Sequence, residues 1–252
     1  MPTMELAAVR QLCDDLLCAP RFAGLDDPCG IFLPAARPEA SRLGLALEPW
    51  PGLEDWLERE RIDTLFLHRP WNLSDEQRRF LDARGTSVLA YHLAFDERLT
   101  TGLNPALSQA CGWGEPRVLG EKAGRPLGMA CDVPADAPGG RSFAAQAERL
   151  SALFGGLEQV APPADGPGVL VERAAVVGAM NDALVREAHK AGVTLYATGQ
   201  WRQPARPAVR ETGIGVVVIG HARSERWGLG TFARLLRARV ADSGHDLAVV
   251  VA

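Results

Sequence analysis

Apolar residues along this chain recur at two spacings, one typical of helices and the other of buried strands. Near the start, Leu6, Val9, Cys13 and Leu16 fall at helical spacing, which predicts an amphipathic helix over residues 5–18. Elsewhere the apolar residues form short runs of strand length. These runs cover residues 31–33, 43–47, 64–67, 87–91, 173–177, 193–197, 215–220 and 246–252. We expect each run to be a strand.

Helical patterns and capping signals fill most of the intervals between these runs. Ser74 and Gln77 form a capping box at the start of one helix, and Asn104-Pro105 begins another. The predicted helices lie around residues 53–57, 74–85, 104–112, 142–154, 181–190, 207–211 and 225–240. Strands that alternate with helices in this way predict an α/β fold, with mainly parallel sheets covered on both faces.

A change in composition near the middle of the chain suggests two lobes. Glycine and proline are frequent over residues 114–140, and a second loop covers 162–168. A chain of 252 residues is long enough for two lobes of roughly 100 to 150 residues each. We therefore expect an N-terminal α/β lobe over 1–120 and a C-terminal α/β lobe over 121–252, with exchange of terminal segments allowed.

Composition and charge narrow the functional classes. The net charge is −4 and lysine and arginine form no long stripe, which argues against a nucleic-acid-binding face. Apolar runs are too short to span a membrane, and residues 1–17 do not have the pattern of a secretion signal, so we expect a cytoplasmic protein without membrane contact. The five cysteines are scattered without a C-x-x-C pair, which predicts reduced thiols rather than disulfides or a thiolate zinc site.

Three of the predicted strands end on side chains that bind metals. The strand ends carry His68, then His92 with Asp96, then His221 with Glu225. In open α/β sheets ligands bind beyond the carboxyl ends of the strands, so these side chains converge if the three strands are neighbours. Imidazole and carboxylate together suit zinc, iron, manganese or nickel. The alternative stays open, because a single histidine at a strand end is more often a hydrogen-bonded structural group.

The segment 220–228 is the most informative of the three strand ends. His221 and Glu225 are four residues apart, about one helical turn, so a helix that begins near Ala222 places both side chains on nearly the same face. The remaining histidines are weaker candidates, since His189 falls at a helix end and His245 in a polar turn. Motifs of serine hydrolases, P-loop proteins and dinucleotide-binding proteins are absent from the sequence.

With these residues identified, the chain resembles the Nif-three-like dinuclear-metal-centre family, also known as the GTP cyclohydrolase I type 2 family. The matching segments run in the family order and cover residues 64–70, 89–96, 104–107, 177–182, 196–200 and 220–228. The last is the most specific, because Gly-His-Ala-Arg-Ser-Glu-Arg-Trp-Gly resembles the family signature G-H-x-x-[ST]-E-R-x-G. The resemblance implies two α/β lobes with the metals in a cleft between them, assembled as a ring-shaped homohexamer.

The resemblance also implies roles for individual residues. It makes His68, Asp96, His221 and Glu225 metal ligands, while His92 lines the site and is the candidate catalytic proton shuttle. The implied cofactor is one or two divalent metal ions, zinc, iron or manganese, that activate water. The implied activity is that of a metal-dependent hydrolase of the GTP cyclohydrolase I type 2 kind, which acts on a small molecule such as a purine nucleotide or a related heterocycle.

Some positions depart from the family pattern. Arg69 stands where the family has a second histidine, and a guanidinium group has no lone pair to offer a metal. We infer that Arg69 takes the place of the second cation by pairing with Asp96 or Glu225, which leaves one metal or none. Gln200 also replaces an acidic residue of the family.

These departures keep two other functions open. The first alternative is a non-enzymatic metal-binding or scaffold homohexamer with a mononuclear or empty site. The second, more distant, is an α/β module that binds flavin or nicotinamide. Metal content together with nucleotide turnover distinguishes the hydrolase from the scaffold, and an ultraviolet-visible spectrum tests for a bound organic cofactor.

Overall fold

The computed structural model describes residues 3–35 and 37–252, so the first two residues of the predicted N-terminal lobe and residue 36 lie outside the described residues. The strands are β1 (Met4–Glu5), β2 (Cys29–Leu33), β3 (Glu39–Ala40), β4 (Arg42–Ala46), β5 (Thr64–Leu67), β6 (Ser87–Tyr91), β7 (Arg117–Lys122), β8 (Arg125–Asp132), β9 (Gln159–Ala161), β10 (Arg173–Val177), β11 (Leu195–Thr198), β12 (Gly215–Val218) and β13 (Ala248–Val251). The helices are α1 (Leu6–Leu17), α2 (Leu53–Arg59), α3 (Asp75–Arg84), α4 (Leu93–Leu99), α5 (Pro105–Cys111), α6 (Phe143–Phe154), α7 (Asp182–Lys190), α8 (Arg206–Thr212) and α9 (His221–Ser243). This alternation confirms the predicted α/β class. Within the described part of the chain, none of the helices combines the length and the apolar character needed to cross a bilayer.

The chain forms two compact units whose boundaries differ from the predicted 1–120 and 121–252. Unit 1 consists of the chain up to Phe95 together with Gly228–Ala252, and unit 2 is Asp96–Trp227. The C-terminal segment belongs to unit 1 because β13 pairs in parallel with β4. The chain therefore passes from one unit to the other within α4 and again within α9.

Besides the antiparallel pair of β1 and β3, unit 1 has a five-stranded sheet with a parallel centre and an antiparallel edge. Its strand order is β13-β4-β5-β6-β2, with β2 antiparallel to β6 and the other neighbours parallel. Every residue of β5 and β6 is buried, as expected for parallel strands covered on both faces. Gly44 of β4 allows a close approach, because a Cβ atom there would lie 2.6 Å from Cη2 of Trp56. Because β5 and β6 are parallel neighbours, their carboxyl ends lie at the same edge of the sheet.

The sheet of unit 2 contains three parallel strands flanked by antiparallel ones. Its order is β7-β8-β10-β11-β12-β9, and the pairs β10-β11 and β11-β12 are parallel. Successive residues of β10 alternate between two apolar clusters, Ala174 and Val176 in one and Ala175 and Val177 in the other. Because side chains of a strand alternate between its faces, unit 2 has a core on each face of its sheet.

The hairpin of β7 and β8 lies within residues 114–140, the stretch predicted to be a change of lobe. Ala123 and Gly124 connect the strands with φ values of 52° and 73°, and Lys122 pairs with Arg125. A two-residue loop with positive φ at both positions matches the right-handed twist of the flanking strands. Because alanine rarely adopts a positive φ, the sequence Ala-Gly does not carry the Asn-Gly or Asp-Gly signal that predicts a hairpin.

Candidate metal centre

Two of the three predicted strand ends are neighbours in one sheet. In the parallel pair of β5 and β6, Leu67 lies opposite Ala90, so the next residues of both strands emerge at the same edge. His68 follows β5 directly, and His92 follows β6. The third strand, β12, belongs instead to the sheet of unit 2, between β11 and β9. Only the strands that precede His68 and His92 are therefore neighbours, and the strand that precedes His221 is not.

His68, His92 and Asp96 form a group that could hold a metal ion. Each residue offers one ligand atom, and these atoms all lie within 4.8 Å of one another. His68 is buried and the other two residues are half-buried. Asp96 lies in the first turn of α4, four residues after His92, so helical geometry places it beside the histidine. Two imidazoles and a carboxylate are a donor set that fits zinc, iron or manganese.

The backbone holds the ring of His68 in one orientation. Its Nδ1 lies 3.1 Å from the carbonyl oxygen of Tyr91, the last residue of β6. A carbonyl only accepts hydrogen bonds, so Nδ1 carries the proton and Nε2 is the atom with the lone pair that a metal needs. The ring also packs against Phe95, with 4.6 Å between ring centroids. The fold thus fixes the tautomer of His68 before any ion binds.

A carboxylate fixes the ring of His92 in the same way. Oδ1 of Asp27 lies 2.7 Å from Nδ1 of His92, and Oδ2 accepts the backbone N–H of Leu93 at 2.9 Å. Because the carboxylate is held at both oxygens, it orients the imidazole and leaves coordination to Nε2. Asp27 was not among the predicted site residues, because it lies 65 residues before His92 in the chain and no local pattern joins them.

The side chain of Tyr91 forms a half-buried polar contact within unit 1. Its hydroxyl donates a hydrogen bond to Oδ1 of Asp14 at 2.7 Å, and its ring stacks on Phe66. Burial, together with this hydrogen bond and the negative charge of Asp14, raises the pKa of the Tyr91 phenol well above its usual range. The phenol therefore stays a neutral donor, and Tyr91 keeps its carbonyl in position for His68.

His221 and Glu225 are in contact at the start of α9. Nε2 of His221 lies 3.0 Å from Oε1 of Glu225, which agrees with the predicted placement on one helix face. The Glu225 side chain is 1% exposed and that of His221 is 65% exposed. The turn before them needs glycine, because Gly220 has a φ of +100° and a Cβ atom there would lie 2.6 Å from Oε1 of Glu158. Their role as metal ligands stays a prediction.

Arg69 forms an ion pair with a residue other than the predicted Asp96 or Glu225. Its Nε lies 3.3 Å from Oε2 of Glu48, in the loop after β4. The Arg69 side chain is 22% exposed, and its backbone N–H donates to the carbonyl of Leu47 at 2.7 Å. The predicted pairing of Arg69 with Asp96 or Glu225 stays a prediction. Gln200, the other departure from the family pattern, is exposed after β11.

Comparison with known proteins identifies the family. The profile of the Duf34/NIF3 (NGG1p interacting factor 3) family matches residues 4–252. The chain belongs to this family. The match runs through both units, and it confirms the resemblance that the strand-end motifs indicated.

Relatives and solved structures agree with this assignment. The NIF3-family chain is 25% identical to the GTP cyclohydrolase 1 type 2 homolog of Allochromatium vinosum over 242 residues, which cover 90% of this chain and 89% of that protein. Its fold is similar to that of the Staphylococcus aureus protein SA1388, with a TM-score of 0.77, 14% identity, and coverage of 100% of this chain and 97% of the other. It is also similar to a Bacillus cereus protein related to NIF3, with a TM-score of 0.71, 13% identity, and coverage of 100% and 97%. At these identities the structures establish the fold alone.

Proposed function

We propose that this NIF3-family protein binds a divalent metal ion at the group formed by His68, His92 and Asp96. The observation that carries the proposal is the spacing of their three ligand atoms, all within 4.8 Å of one another. Hydrogen bonds of both Nδ1 atoms to oxygen acceptors support it, because such contacts orient metal-binding histidines. The three donors suffice for one ion with an open position, and zinc, iron or manganese suits them.

We further propose that the bound ion serves a hydrolytic reaction of the GTP cyclohydrolase 1 type 2 kind. The name of the Allochromatium vinosum relative supports this reaction class. A divalent cation at the group would supply Lewis-acid activation of water. The imidazole of His92, held by Asp27 through Nδ1, can accept and return a proton at Nε2. A planar purine nucleotide or a related heterocycle is the proposed substrate.

His92 has two roles in this proposal that exclude each other. As a third ligand it would use Nε2 to bind the metal, and as the predicted proton shuttle it would use the same Nε2 to move a proton. The His92→Gln variant separates them. Loss of the metal assigns His92 as a ligand, whereas retention of the metal with loss of turnover assigns it as the shuttle.

Metal content measured by elemental analysis tests the proposed site. We expect the wild-type protein to carry one equivalent per chain, and we expect Asp96→Asn and His68→Gln to lose it, because each variant removes a charged or basic donor. His245→Gln is the matched control, since His245 is exposed in the turn after α9. Circular dichroism spectra of all variants establish that they are folded.

Other stoichiometries would change the proposal. Absence of metal from wild-type protein purified without chelator and then dialysed against zinc, iron or manganese salts would reject it. Two equivalents would reject Arg69 as a substitute for the second cation. His221→Ala tests the remaining predicted ligand pair, because loss of an equivalent in that variant assigns His221 and Glu225 to a metal site.

A second candidate function is a non-enzymatic metal-binding scaffold, in the form of a homohexamer. Arg69 favours it, because a side chain without a lone pair stands at the position of a family ligand. Incubation with GTP decides between the two functions. A metal-dependent change in the ultraviolet spectrum of the guanine ring supports the hydrolase, and an unchanged spectrum with a bound metal supports the scaffold. The mass in solution tests the hexamer.

A further inference from the structure

Trp71 presents an exposed indole beside the candidate metal group. Its residue surface is 49% exposed, whereas the tryptophans Trp56 and Trp113 are each 6% exposed. The indole centroid lies 4.8 Å from that of the His92 ring, and the two ring planes meet at 79°. One of the three candidate ligand residues is therefore in direct contact with a large aromatic ring, about half of whose surface is accessible.

The loop that carries Trp71 is held in place by its backbone. His68 donates its N–H to the carbonyl of Ala46 at 3.2 Å, and Leu73 donates to the carbonyl of Pro70 at 3.2 Å. Pro70 itself is buried, and its ring fixes the backbone immediately before the tryptophan. An indole has two side-chain torsions, so ordering it on such a loop costs little entropy when a ligand binds. The geometry is that of a preorganised contact surface.

We propose that Trp71 is a specificity-determining residue of this site, and that its indole stacks on the planar aromatic ring of a ligand whose anionic group reaches the metal. The inference rests on the proposed metal site. Aromatic side chains stack on nucleobases without regard to sequence because each base offers a π face. A metal ion attracts phosphate regardless of what the phosphate is attached to. The indole would therefore make the site bind ring-bearing phosphates more tightly than simple phosphates.

Titration calorimetry of the zinc-loaded protein tests this inference with two probes. GTP carries both a ring and a triphosphate, and inorganic tripolyphosphate carries the phosphate groups without the ring. We expect Trp71→Ala to weaken GTP binding roughly five- to 150-fold and to change tripolyphosphate binding by less than about twofold. Trp71→Leu, which keeps apolar bulk, should behave like the alanine variant. Trp71→Phe keeps a stacking ring and should stay within about threefold of the wild type.

The outcomes separate this inference from the proposed function. One equivalent of metal together with unchanged GTP affinity in Trp71→Ala overturns the inference alone. Equal weakening of both probes also overturns it, because Trp71 would then support the loop rather than contact a ring. A lower mass in solution for Trp71→Ala, without a change in binding, assigns the indole to a contact between copies of the chain and overturns it as well. Absence of metal from the wild type overturns the proposed function and this inference together.

Discussion

At the scale of single residues, the candidate site depends on contacts that set the tautomers of its histidines. His68 donates its Nδ1 proton to the backbone carbonyl of Tyr91. A substitution of the Tyr91 side chain leaves that carbonyl in the chain. His92 donates instead to the side chain of Asp27, 65 residues earlier in the chain. The hydrogen bond that orients His92 can therefore be removed by a single substitution of its partner, whereas the one that orients His68 cannot.

Asp27→Asn should lower the metal affinity of the protein roughly 10- to 100-fold. If the carbonyl of the substituted side chain keeps the N–H of Leu93, its amide nitrogen faces Nδ1 of His92 and donates to it, which moves the ring proton to Nε2 and removes the lone pair that a metal needs. Competition with a chelator measures the affinity, and ¹⁵N chemical shifts of the imidazole report the tautomer.

Asp26→Asn is the matched control for this substitution, because it makes the same chemical change at the preceding exposed position. We expect it to retain wild-type affinity. Wild-type affinity in Asp27→Asn, with the tautomer unchanged, would show that Asp27 does not position His92.

At the scale of elements, local sequence signals place the helix starts around the strand ends. Ser74 begins α3 with the predicted capping box, in which its Oγ accepts the N–H of Gln77 and the Gln77 side chain accepts the N–H of Ser74. Asn104 caps α5 by accepting the N–H of Leu107. These caps involve residues three apart, so the sequence alone was sufficient to predict them. The loop of Trp71 ends at the α3 cap.

Ser74→Ala should destabilise the protein by about 1 kcal/mol, because the N–H of Gln77 loses its acceptor at the start of α3. For a protein of this size, that free energy corresponds to a fall in Tm of roughly 2–4 °C. Ser74→Asp retains a side-chain acceptor and should stay near the wild-type Tm. A thermal unfolding scan followed by circular dichroism measures all three proteins. An alanine variant with the Tm of the wild type would show that the cap contributes little to stability.

At the scale of the whole molecule, each unit has its own large sheet, and the free cysteines are distributed over both units. Cys13, Cys111 and Cys131 are buried, while Cys18 and Cys29 are half-buried. Burial raises the pKa of the Cys111 thiol to about 12. Burial, followed by the nearby carboxylates of Asp14 and Asp27, raises the pKa of Cys29 to about 11, against a smaller opposing effect of Arg10. The thiolate form, which is the reactive one, is therefore scarce at neutral pH.

Native protein at about pH 8 should leave Cys13, Cys111 and Cys131 unmodified by a thiol reagent, whereas the unfolded chain should react at all five cysteines. Cys29 should react slowly, at a rate that increases as the pH approaches about 11, because its raised pKa limits the thiolate fraction. Mass spectrometry of the modified peptides measures each site. Rapid modification of the three buried cysteines in the native protein would contradict the packing of both units.

The α/β class, most of the strands and helices, and the candidate residues His68, His92 and Asp96 could all be predicted from the sequence alone. This was possible because apolar spacing, caps and strand ends are local features of the chain. The pair of His221 and Glu225 was accessible in the same way, since residues four apart meet on one helix turn.

Which of these residues meet, and what surrounds them, depended on the tertiary structure. In the structure β5 and β6 are neighbours, whereas β12 belongs to another sheet. The strand β13, at the C-terminal end of the described chain, pairs with β4. The contact of Asp27 with His92 also depends on the sheet order, as does the packing of Trp71 against the same ring. The physical reason is that such contacts join segments far apart in sequence, and no local pattern encodes which strands pair.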